Sequence, residues 1–335
     1  MTVIPSIDIR SGSLVDLARE HGEAAKALIA ASRRTLGPLS EPIGHFALPA
    51  GDRVSRDWLA KTGNPYLPEI DAIAHHLNTP GVYALNICFE WGCTSAVYGL
   101  DGGPMLTRVL DWVFPHLGEA IVVARQRGPA GEFHNVTWPG MTGMFHGLAT
   151  GRFAASLNQA PMRRHRLTYA GDWLRNRRLV FRANALPPEH LLRQTFEQAR
   201  DYEDAKRRLC HTPVAIPVIY TLAGIREGEG CAIERTEEDF AIREMDGDRV
   251  CAANQFDTIL NVRGGWRPRP IDSAGRAHRA RAVPLASIDD RFGWFQPPVA
   301  NSHSRVVLTA DAAHGALRVM GTNGLQPVTE TFRLG

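Results

Sequence analysis

This 335-residue chain has few lysines, no paired spacing of cysteines and no long apolar run. No run of about 18 apolar residues occurs, so the sequence predicts no membrane-spanning helix. The N-terminal residues lack the charged start and the continuous apolar core of a signal peptide, which predicts a cytoplasmic protein. Hydrophobic residues make up 44% and charged residues 22% of the chain, and this composition is that of a soluble globular protein.

The basic residues are almost all arginines. Lys26, Lys61 and Lys206 are the lysines, so arginine supplies the other 35 of the 38 basic residues. Guanidinium groups suit carboxylates and phosphates, although such usage is also typical of a GC-rich genome. The arginine clusters at 162–166 and 175–178 are interrupted and read as a solvated surface. Nucleic-acid binding needs a broader basic face with stacking aromatics, so we expect no nucleic-acid partner.

Five cysteines have no paired spacing, which argues against a disulfide framework and against a zinc knuckle. A zinc site built from Cys88, Cys93 and a histidine fits no standard pattern, so we expect neither a metal nor a cofactor. Apolar sequence around four of the five favours small buried side chains: Cys88, Cys210, Cys231 and Cys251. Cys93 is the exception, because it follows a glycine at the start of a strand-like run.

The order of predicted elements favours an α+β sandwich. Helical patterns cover 10–35, 64–77 and 187–209, while 82–158 and the region after 212 give short glycine-punctuated strands. Regular β-α alternation is absent, and the glycines at 226–230 form neither a Walker loop nor a dinucleotide fingerprint. The segment 264–270 reads as a loop.

The sequence LDGGP at 100–104 predicts a hairpin turn that pairs strand 94–99 with strand 105–112. Residues near 110–112 then lie across from Cys93. Strand alternation puts only one of Arg108 and Asp111 on the cysteine's face, but the backbone amine of residue 93 is open to approach from either side. The same pattern also fits a structural cysteine beside a surface ion pair.

These residues carry a resemblance. GCTS…LTRVLDW resembles the nucleophile hairpin of the cysteine N-terminal-nucleophile (Ntn) amidases, in the branch of acid ceramidase and N-acylethanolamine acid amidase. Penicillin V acylase and bile salt hydrolase (the choloylglycine hydrolase family) are more distant members. Arg108 and Asp111-Trp112 match, while Thr107 and Val109 replace a glycine and an asparagine. Segments 138–158, 212–235 and 250–257 resemble the branch in the same order.

The resemblance implies a four-layer αββα Ntn-hydrolase sandwich, with residues 1–92 as an N-terminal helical pro-segment and 93–335 as the catalytic domain. It implies self-cleavage between Gly92 and Cys93, after which Cys93 supplies both the nucleophilic thiol and the amine base. Asp111 would orient that amine, Arg108 would favour the thiolate, and Asn254 would bind the oxyanion.

For the substrate, the resemblance implies a linear N-acyl amide with a hydrophobic acyl group. Asn158 and Gln159 would bind it, although Gln159 stands where the branch carries glutamate. We expect apolar residues to line the pocket for the acyl chain: Trp138, Met144, Phe145, and less directly Met141, Phe292, Trp294 and Phe295. Asp272 and Arg276 are the nearest candidates for a later aspartate-arginine pair of the family.

Three functional alternatives stay open at this point. The chain is a hydrolase, an acyltransferase using the same acyl-enzyme, or an unprocessed non-catalytic binding member of the fold. A homo-oligomer and an α/β heterodimer after self-cleavage also stay open. Relatives in this branch are exported to acidic compartments, whereas this N-terminus predicts work near neutral pH in the cytoplasm.

Overall fold

The computed structural model describes residues 1–32, 40–88, 91–114, 116–165, 167–258, 265–267, 271–289 and 291–335, with the backbone alone for 40–48. The helices, in chain order, are α1 (Leu14–Glu20), α2 (Gly22–Ser32), α3 (Ser40–Lys61), α4 (Leu67–Leu77), α5 (Val82–Leu85), α6 (Tyr169–Val180), α7 (Pro188–Gln198), α8 (Tyr202–His211) and α9 (Ser273–Arg281). Among the helices in the described part of the chain, none combines the length and the apolarity that crossing a bilayer requires.

The strands supply two sheets. In chain order they are β1 (Ser6–Asp8), β2 (Trp91–Leu100), β3 (Gly103–Trp112), β4 (Val122–Gly128), β5 (Gly131–Thr137), β6 (His146–Ala149), β7 (Phe153–Gln159), β8 (Met162–Arg163), β9 (Val218–Ala223), β10 (Gly230–Arg235), β11 (Phe240–Glu244), β12 (Arg249–Ala252), β13 (Trp266–Arg267), β14 (Ser304–Asp311), β15 (Ala316–Asn323), β16 (Gln326–Pro327) and β17 (Phe332–Leu334). An eight-stranded sheet has the order β1-β4-β5-β6-β7-β9-β10-β11, and a seven-stranded sheet has β12-β2-β3-β14-β15-β16 with β17 beside β15.

The two sheets stack face to face, because β2 and β3 of one contact β7 and β9 of the other. Helices α7 and α8 cover the outer face of the eight-stranded sheet, and α9 covers the outer face of the seven-stranded sheet. The largest apolar cluster fills the space between the sheets, and a smaller one lies under α9. The prediction of a four-layer αββα sandwich is confirmed, and its layers enclose the strand that carries Cys93.

The predicted hairpin is confirmed. β2 and β3 pair antiparallel through the turn at 101–102, with Cys93 opposite Leu110 and Ser95 opposite Arg108. Residues directly opposite each other point to the same side of a sheet. Arg108 therefore shares the inner face with Cys93, whereas Asp111, opposite Gly92, belongs to the outer face.

The described residues before Trp91, 1–32 and 40–88, are built into the sandwich. Strand β1 forms the edge of the eight-stranded sheet and pairs parallel with β4. The buried Arg193 of α7 donates hydrogen bonds to Glu69 of α4 and to Glu197, which also accepts from the hydroxyl of Tyr66. Asn64 contacts a ring nitrogen of His190 at 2.8 Å. The division of the chain at residue 92 stays a prediction, and these contacts join its two parts tightly.

Three element predictions were wrong in detail. The single helix predicted over 187–209 is two helices, because Ala199 adopts an extended conformation and Asp201 caps α8 by accepting from the backbone N–H of Asp204. The helix predicted over 10–35 is broken at His21 into α1 and α2, and residues 33–35 of that prediction lie outside the described part of the chain. The predicted loop at 264–270 contains the short strand β13, which pairs with β8; residues 264 and 268–270 lie outside the described part.

Candidate active site

Cys93 lies on β2 with no exposed surface, in the apolar cluster between the sheets. Burial raises the pKa of its thiol, because a thiolate loses its hydration there. The guanidinium of Arg108 opposes this shift, and a backbone hydrogen bond from Gln159 favours the thiolate as well. The chain therefore holds a neutral thiol beside two groups that favour its ionised form.

Asn254 contacts the backbone nitrogen of Cys93. Its side-chain oxygen accepts from the Cys93 N–H at 2.8 Å, and its Nδ2 donates to the carbonyl oxygen of Gln159 at 2.8 Å. The Ser273 hydroxyl accepts from the Asn254 backbone N–H at 2.8 Å, which fixes the residue just beyond β12. An asparagine amide has two N–H donors, and the Gln159 contact uses one of them.

Arg108 reaches across the gap between the sheets. Its Nη1 donates to the side-chain oxygen of Asn158 on β7, while Asn158 donates to the carbonyl oxygens of Ala252 and Ala253. The Nε and Nη2 atoms of Arg108 are buried and have no hydrogen-bond partner within the described residues. A buried guanidinium with free donors is suited to stabilise negative charge that develops beside it.

Asp111 lies on the other face of the same strand pair, across from Gly92. Its Oδ1 accepts from the Ser304 hydroxyl at 2.8 Å. Its Oδ2 is buried, lies 3.5 Å from Nη1 of Arg276, and accepts no hydrogen bond from the described part of the chain. A buried carboxylate oxygen without a donor is an unfilled acceptor beside the Gly92–Cys93 peptide bond.

Arg276 of α9 holds the backbone around Cys93. It donates to the Cys93 carbonyl oxygen, to the Thr94 hydroxyl at 2.8 Å and to the Asn254 side-chain oxygen at 2.7 Å. Burial lowers the pKa of this guanidinium and the Asp111 charge opposes that shift. Asp272 caps α9 by accepting from the Gly275 N–H.

Gln159 lies between Cys93 and a surface pocket. Its side-chain oxygen accepts from the backbone N–H of Trp91 at 3.0 Å, two residues before Cys93. The pocket lies between 159–163 and one side of α6, whose Arg177 donates to the Ile87 carbonyl at 3.1 Å. Its lining is mainly apolar: Ala160, Pro161, Met162, Trp173, Leu179, Val180, Ile216 and Pro217, with Gln159, Arg163, Asn176, Arg177 and Glu237 as the polar members.

The predicted lining residues Trp138, Met144 and Phe145 are fully buried around the strand that carries Cys93. Phe145 packs edge-on against Trp91 at 5.0 Å between ring centroids, and Trp138 packs against Phe145 at 6.1 Å. None of the three lines the pocket at Gln159. Phe292, Trp294 and Phe295 lie in or against the cluster under α9, on the opposite side of the seven-stranded sheet.

The structure brings Cys93, Arg108, Asp111, Asn158, Gln159 and Asn254 close together, and their catalytic and binding roles stay predictions. Sequence reasoning missed Ser304 and Ser273, which orient Asp111 and Asn254. Each serine is distant in sequence from the residue that it orients, and neither belongs to a motif. No local sequence signal therefore identifies them. No cluster of three metal-ligating side chains occurs within the residues searched, which are those the structure describes.

Comparison with known proteins gives relatives in one branch. No family model matches the chain. The acid ceramidase of Heterocephalus glaber is 27% identical over 217 residues, which are 58% of this chain and 53% of that protein. The N-acylethanolamine-hydrolyzing acid amidase of Cavia porcellus is 27% identical over 230 residues, 65% of this chain and 61% of that protein. The chain thus spans about half the length of the curated relatives it matches.

A solved structure of the Caenorhabditis elegans N-acylethanolamine-hydrolyzing acid amidase ortholog has the same fold. Its TM-score is 0.52 at 17% identity, and the alignment covers 72% of this chain and 100% of that one. The chain is thus similar in sequence to acid ceramidase and to N-acylethanolamine-hydrolyzing acid amidase, and it shares the fold of the latter.

Proposed function

We propose that this chain is a self-processing amide hydrolase that cuts its own Gly92–Cys93 bond. It then hydrolyses the C–N bond of a linear N-acyl amide through a thioester on Cys93. The observation that carries the proposal is the convergence on residue 93: Asn254 contacts its N–H, Arg276 its carbonyl, and Asp111 offers an unfilled oxygen on the strand next to it.

In the first reaction, the Cys93 thiol attacks the Gly92 carbonyl carbon. The C–N bond to Cys93 breaks, the thiol proton passes to the departing amine, and Gly92 is left as a thioester on Cys93. Water then hydrolyses that thioester, which yields a carboxylate on Gly92 and regenerates the thiol. Gly92 suits this step because a side chain there would meet Ile271 and Asp111, at 2.6 and 3.3 Å from the added carbon.

In the second reaction, the freed α-amine of Cys93 serves as the base for its own thiol. The pKa of an α-amino group is about 8, much closer to neutrality than that of a lysine side chain. Asp111 Oδ2 would accept a hydrogen bond from this amine and orient it. Arg108 and the second N–H of Asn254 would stabilise the thiolate and the oxyanion of the tetrahedral intermediate.

The pocket beside Gln159 supports a substrate with a hydrophobic acyl group. In the uncleaved chain, Gln159 and Arg177 bind backbone groups of Trp91 and Ile87. Departure of that segment after cleavage would leave the same groups to bind the amide of a substrate. An acyltransferase would use the same thioester and hand the acyl group to an amine instead of water.

The proposal is tested by intact-mass spectrometry of the purified chain, followed by an assay with N-acyl amides of graded acyl length. We expect two pieces, residues 1–92 and 93–335, and release of the free amine from an amide with an apolar acyl group. A chain that stays in one piece and releases no amine would instead support the non-catalytic binding member of the fold. Transfer to an added amine in place of hydrolysis would support the acyltransferase.

Self-cleavage should become faster as the pH rises, because burial raises the pKa of the Cys93 thiol. Well below that pKa, the thiolate fraction grows about tenfold per pH unit. In Gln159→Glu, burial would raise the pKa of the new carboxyl group, and its ionised form would put negative charge near Cys93 and raise the pKa of the thiol further. We therefore expect the variant to match wild type at the acidic end and to be slower at the neutral end.

The measurement is the fraction of chain cleaved over time, determined by gel densitometry at a series of pH values from acidic to neutral. Gln126→Glu is the matched control, since Gln126 is equally buried and accepts from Asn135 on the outer part of the same sheet. A ratio of wild-type to Gln159→Glu rates that stays constant with pH would contradict the prediction.

A further inference from the structure

His146 of β6 and Ser156 of β7 lie on the inner face of the eight-stranded sheet. They are directly opposite each other in the β6–β7 pair, so their side chains point to the same side. Ser156 is also opposite Thr221, whose hydroxyl contacts that of Ser95 on the facing sheet at 2.7 Å. That contact crosses the gap between the sheets, and Ser95 is opposite Arg108. His146, Ser156 and Arg108 therefore share the space between the two sheets.

These three side chains carry buried polar atoms that lack partners. None of the three has any exposed surface. Both ring nitrogens of His146, the Ser156 hydroxyl, and Nε and Nη2 of Arg108 make no hydrogen bond within the described residues. Buried polar atoms are almost always hydrogen-bonded, to protein, to water or to an ion. Several such atoms in one place indicate a binding site for a small polar species.

The site offers more hydrogen-bond donors than acceptors. Burial lowers the pKa of His146 well below its ordinary value, and the charge of Arg108 lowers it further. The imidazole is therefore neutral and contributes one N–H donor and one acceptor nitrogen. Arg108 contributes only donors, and its orientation is fixed because Nη1 donates to Asn158. A ligand that accepts hydrogen bonds suits this site.

The charge of Arg108 has no counter-charge on its own face of the hairpin. Asp111 belongs to the other face, where it lies 3.5 Å from Arg276. Arg108 donates to the neutral amide of Asn158 and makes no ion pair within the described part of the chain. The Cys93 thiol is neutral, because burial raises its pKa. A buried charge without a partner is costly, so a monovalent anion beside Arg108 would stabilise the chain.

We propose that Arg108, His146 and Ser156 bind one halide-sized anion, such as chloride, between the sheets. The buried ring of Trp138 lies 6.1 Å from that of His146, and this enclosed setting favours an ion of one atom over a carboxylate or a phosphate. The bound anion would neutralise Arg108 and keep the Cys93 thiol protonated, so it would hold back self-cleavage. This last consequence rests on the proposed function, whereas anion binding itself needs no catalysis.

The experiment measures thermal unfolding of the full chain in sodium chloride, in sodium bromide and in sodium gluconate of equal ionic strength. We expect Tm to rise with halide concentration and then to level off, because an ion that binds only the folded state stabilises it by mass action. Gluconate is too large for the site and screens surface charges equally. Self-cleavage should be about tenfold slower in saturating chloride than in gluconate, since loss of a neighbouring opposite charge raises a thiol pKa by about 1 or more.

Ser156→Ala and His146→Leu test the site without changing the thiol. Each replaces an unpartnered polar group by an apolar one of similar size, so each variant should be at least as stable as wild type in gluconate. In halide, wild type should gain stability and both variants should lose most of that gain. Ser32→Ala is the matched control and should keep the halide response, because Ser32 is equally buried and its hydroxyl donates to the Ile29 carbonyl at 2.7 Å.

The same Tm in halide and in gluconate, or equal halide responses in wild type and the two variants, would overturn the proposal. A loss of stability in both variants that is as large in gluconate as in halide would overturn it in favour of a bound water. Halide binding by a chain that neither cleaves itself nor hydrolyses an amide would refute the proposed function and leave the anion site intact.

Discussion

Replacing Cys93 with alanine is expected to leave the chain in one piece under conditions that split the wild type. The thiol is the only part of this side chain that the substitution removes, and no other thiol can reach the Gly92 carbonyl from the same position. Amide hydrolysis should be lost as well, because neither the nucleophile nor the freed amine would exist. Intact-mass spectrometry reports the first effect and release of the amine product reports the second.

Two further variants separate chemistry from folding. Cys88→Ala removes another buried cysteine close in sequence, and it should cleave as wild type does. Cys93→Ser keeps a weaker nucleophile in the same place and should cleave more slowly than wild type. Normal cleavage in Cys93→Ala would rule out Cys93 as the self-processing nucleophile.

Asp111→Asn should lower the rate of amide hydrolysis by a factor of up to about 10²–10⁴, because the Cys93 amine would no longer be positioned as the base and such a base contributes about this much. Asparagine retains the oxygen that accepts from Ser304, but it puts an N–H₂ group in place of the unfilled Oδ2. That group cannot accept a hydrogen bond from the Cys93 amine. The measurement is kcat for the released amine, with the fraction of cleaved chain determined beside it.

The same substitution removes the charge that faces Arg276, so a loss of stability must be distinguished from a loss of chemistry. Breaking a buried ion pair costs about 3 kcal/mol. Asp204→Asn is the matched control, because Asp204 is 5% exposed and pairs with Arg208 on α8, away from Cys93. A folded Asp111→Asn enzyme with wild-type kcat would contradict the assigned role.

The hairpin was predictable because its signal is local. A glycine turn between two strands fixes the register, and register with alternation then fixes which side chains share a face. That reasoning allowed only one of Arg108 and Asp111 to share the face of the thiol, and the register shows that this residue is Arg108. The α+β layering followed in the same way from the order of the elements.

The remaining parts of the site depend on contacts between distant segments. Ser304 meets Asp111 through the pairing of β14 with β3, and nothing near residue 304 signals this. Arg276 was named only as a nearest candidate, and its contacts with Cys93, Thr94 and Asn254 depend on where α9 packs. Helix α6 was missed because its sequence is rich in arginine and lacks a strong apolar stripe.

The sequence contains a helix-start signal at the break between α7 and α8, although the apolar spacing predicts one continuous helix. Leu191 to Leu209 keep helical spacing through the break, because both helices pack on the same sheet. Asp201 followed by Glu203 and Asp204 is a typical helix start, and the structure uses it as one. Capping residues were more informative here than hydrophobic periodicity.

The parallel pairing of β1 with β4 determines how the protein would behave after a cut at residue 93. The first residues of the chain would still be an edge strand of the sheet, and buried bonds such as Arg193 to Glu69 would still join the two fragments. The nicked protein would keep these two sets of contacts but lose the tether between its halves, so refolding after denaturation would become bimolecular and depend on concentration. The lifetime of the cleaved protein would then be set by its unfolding rate.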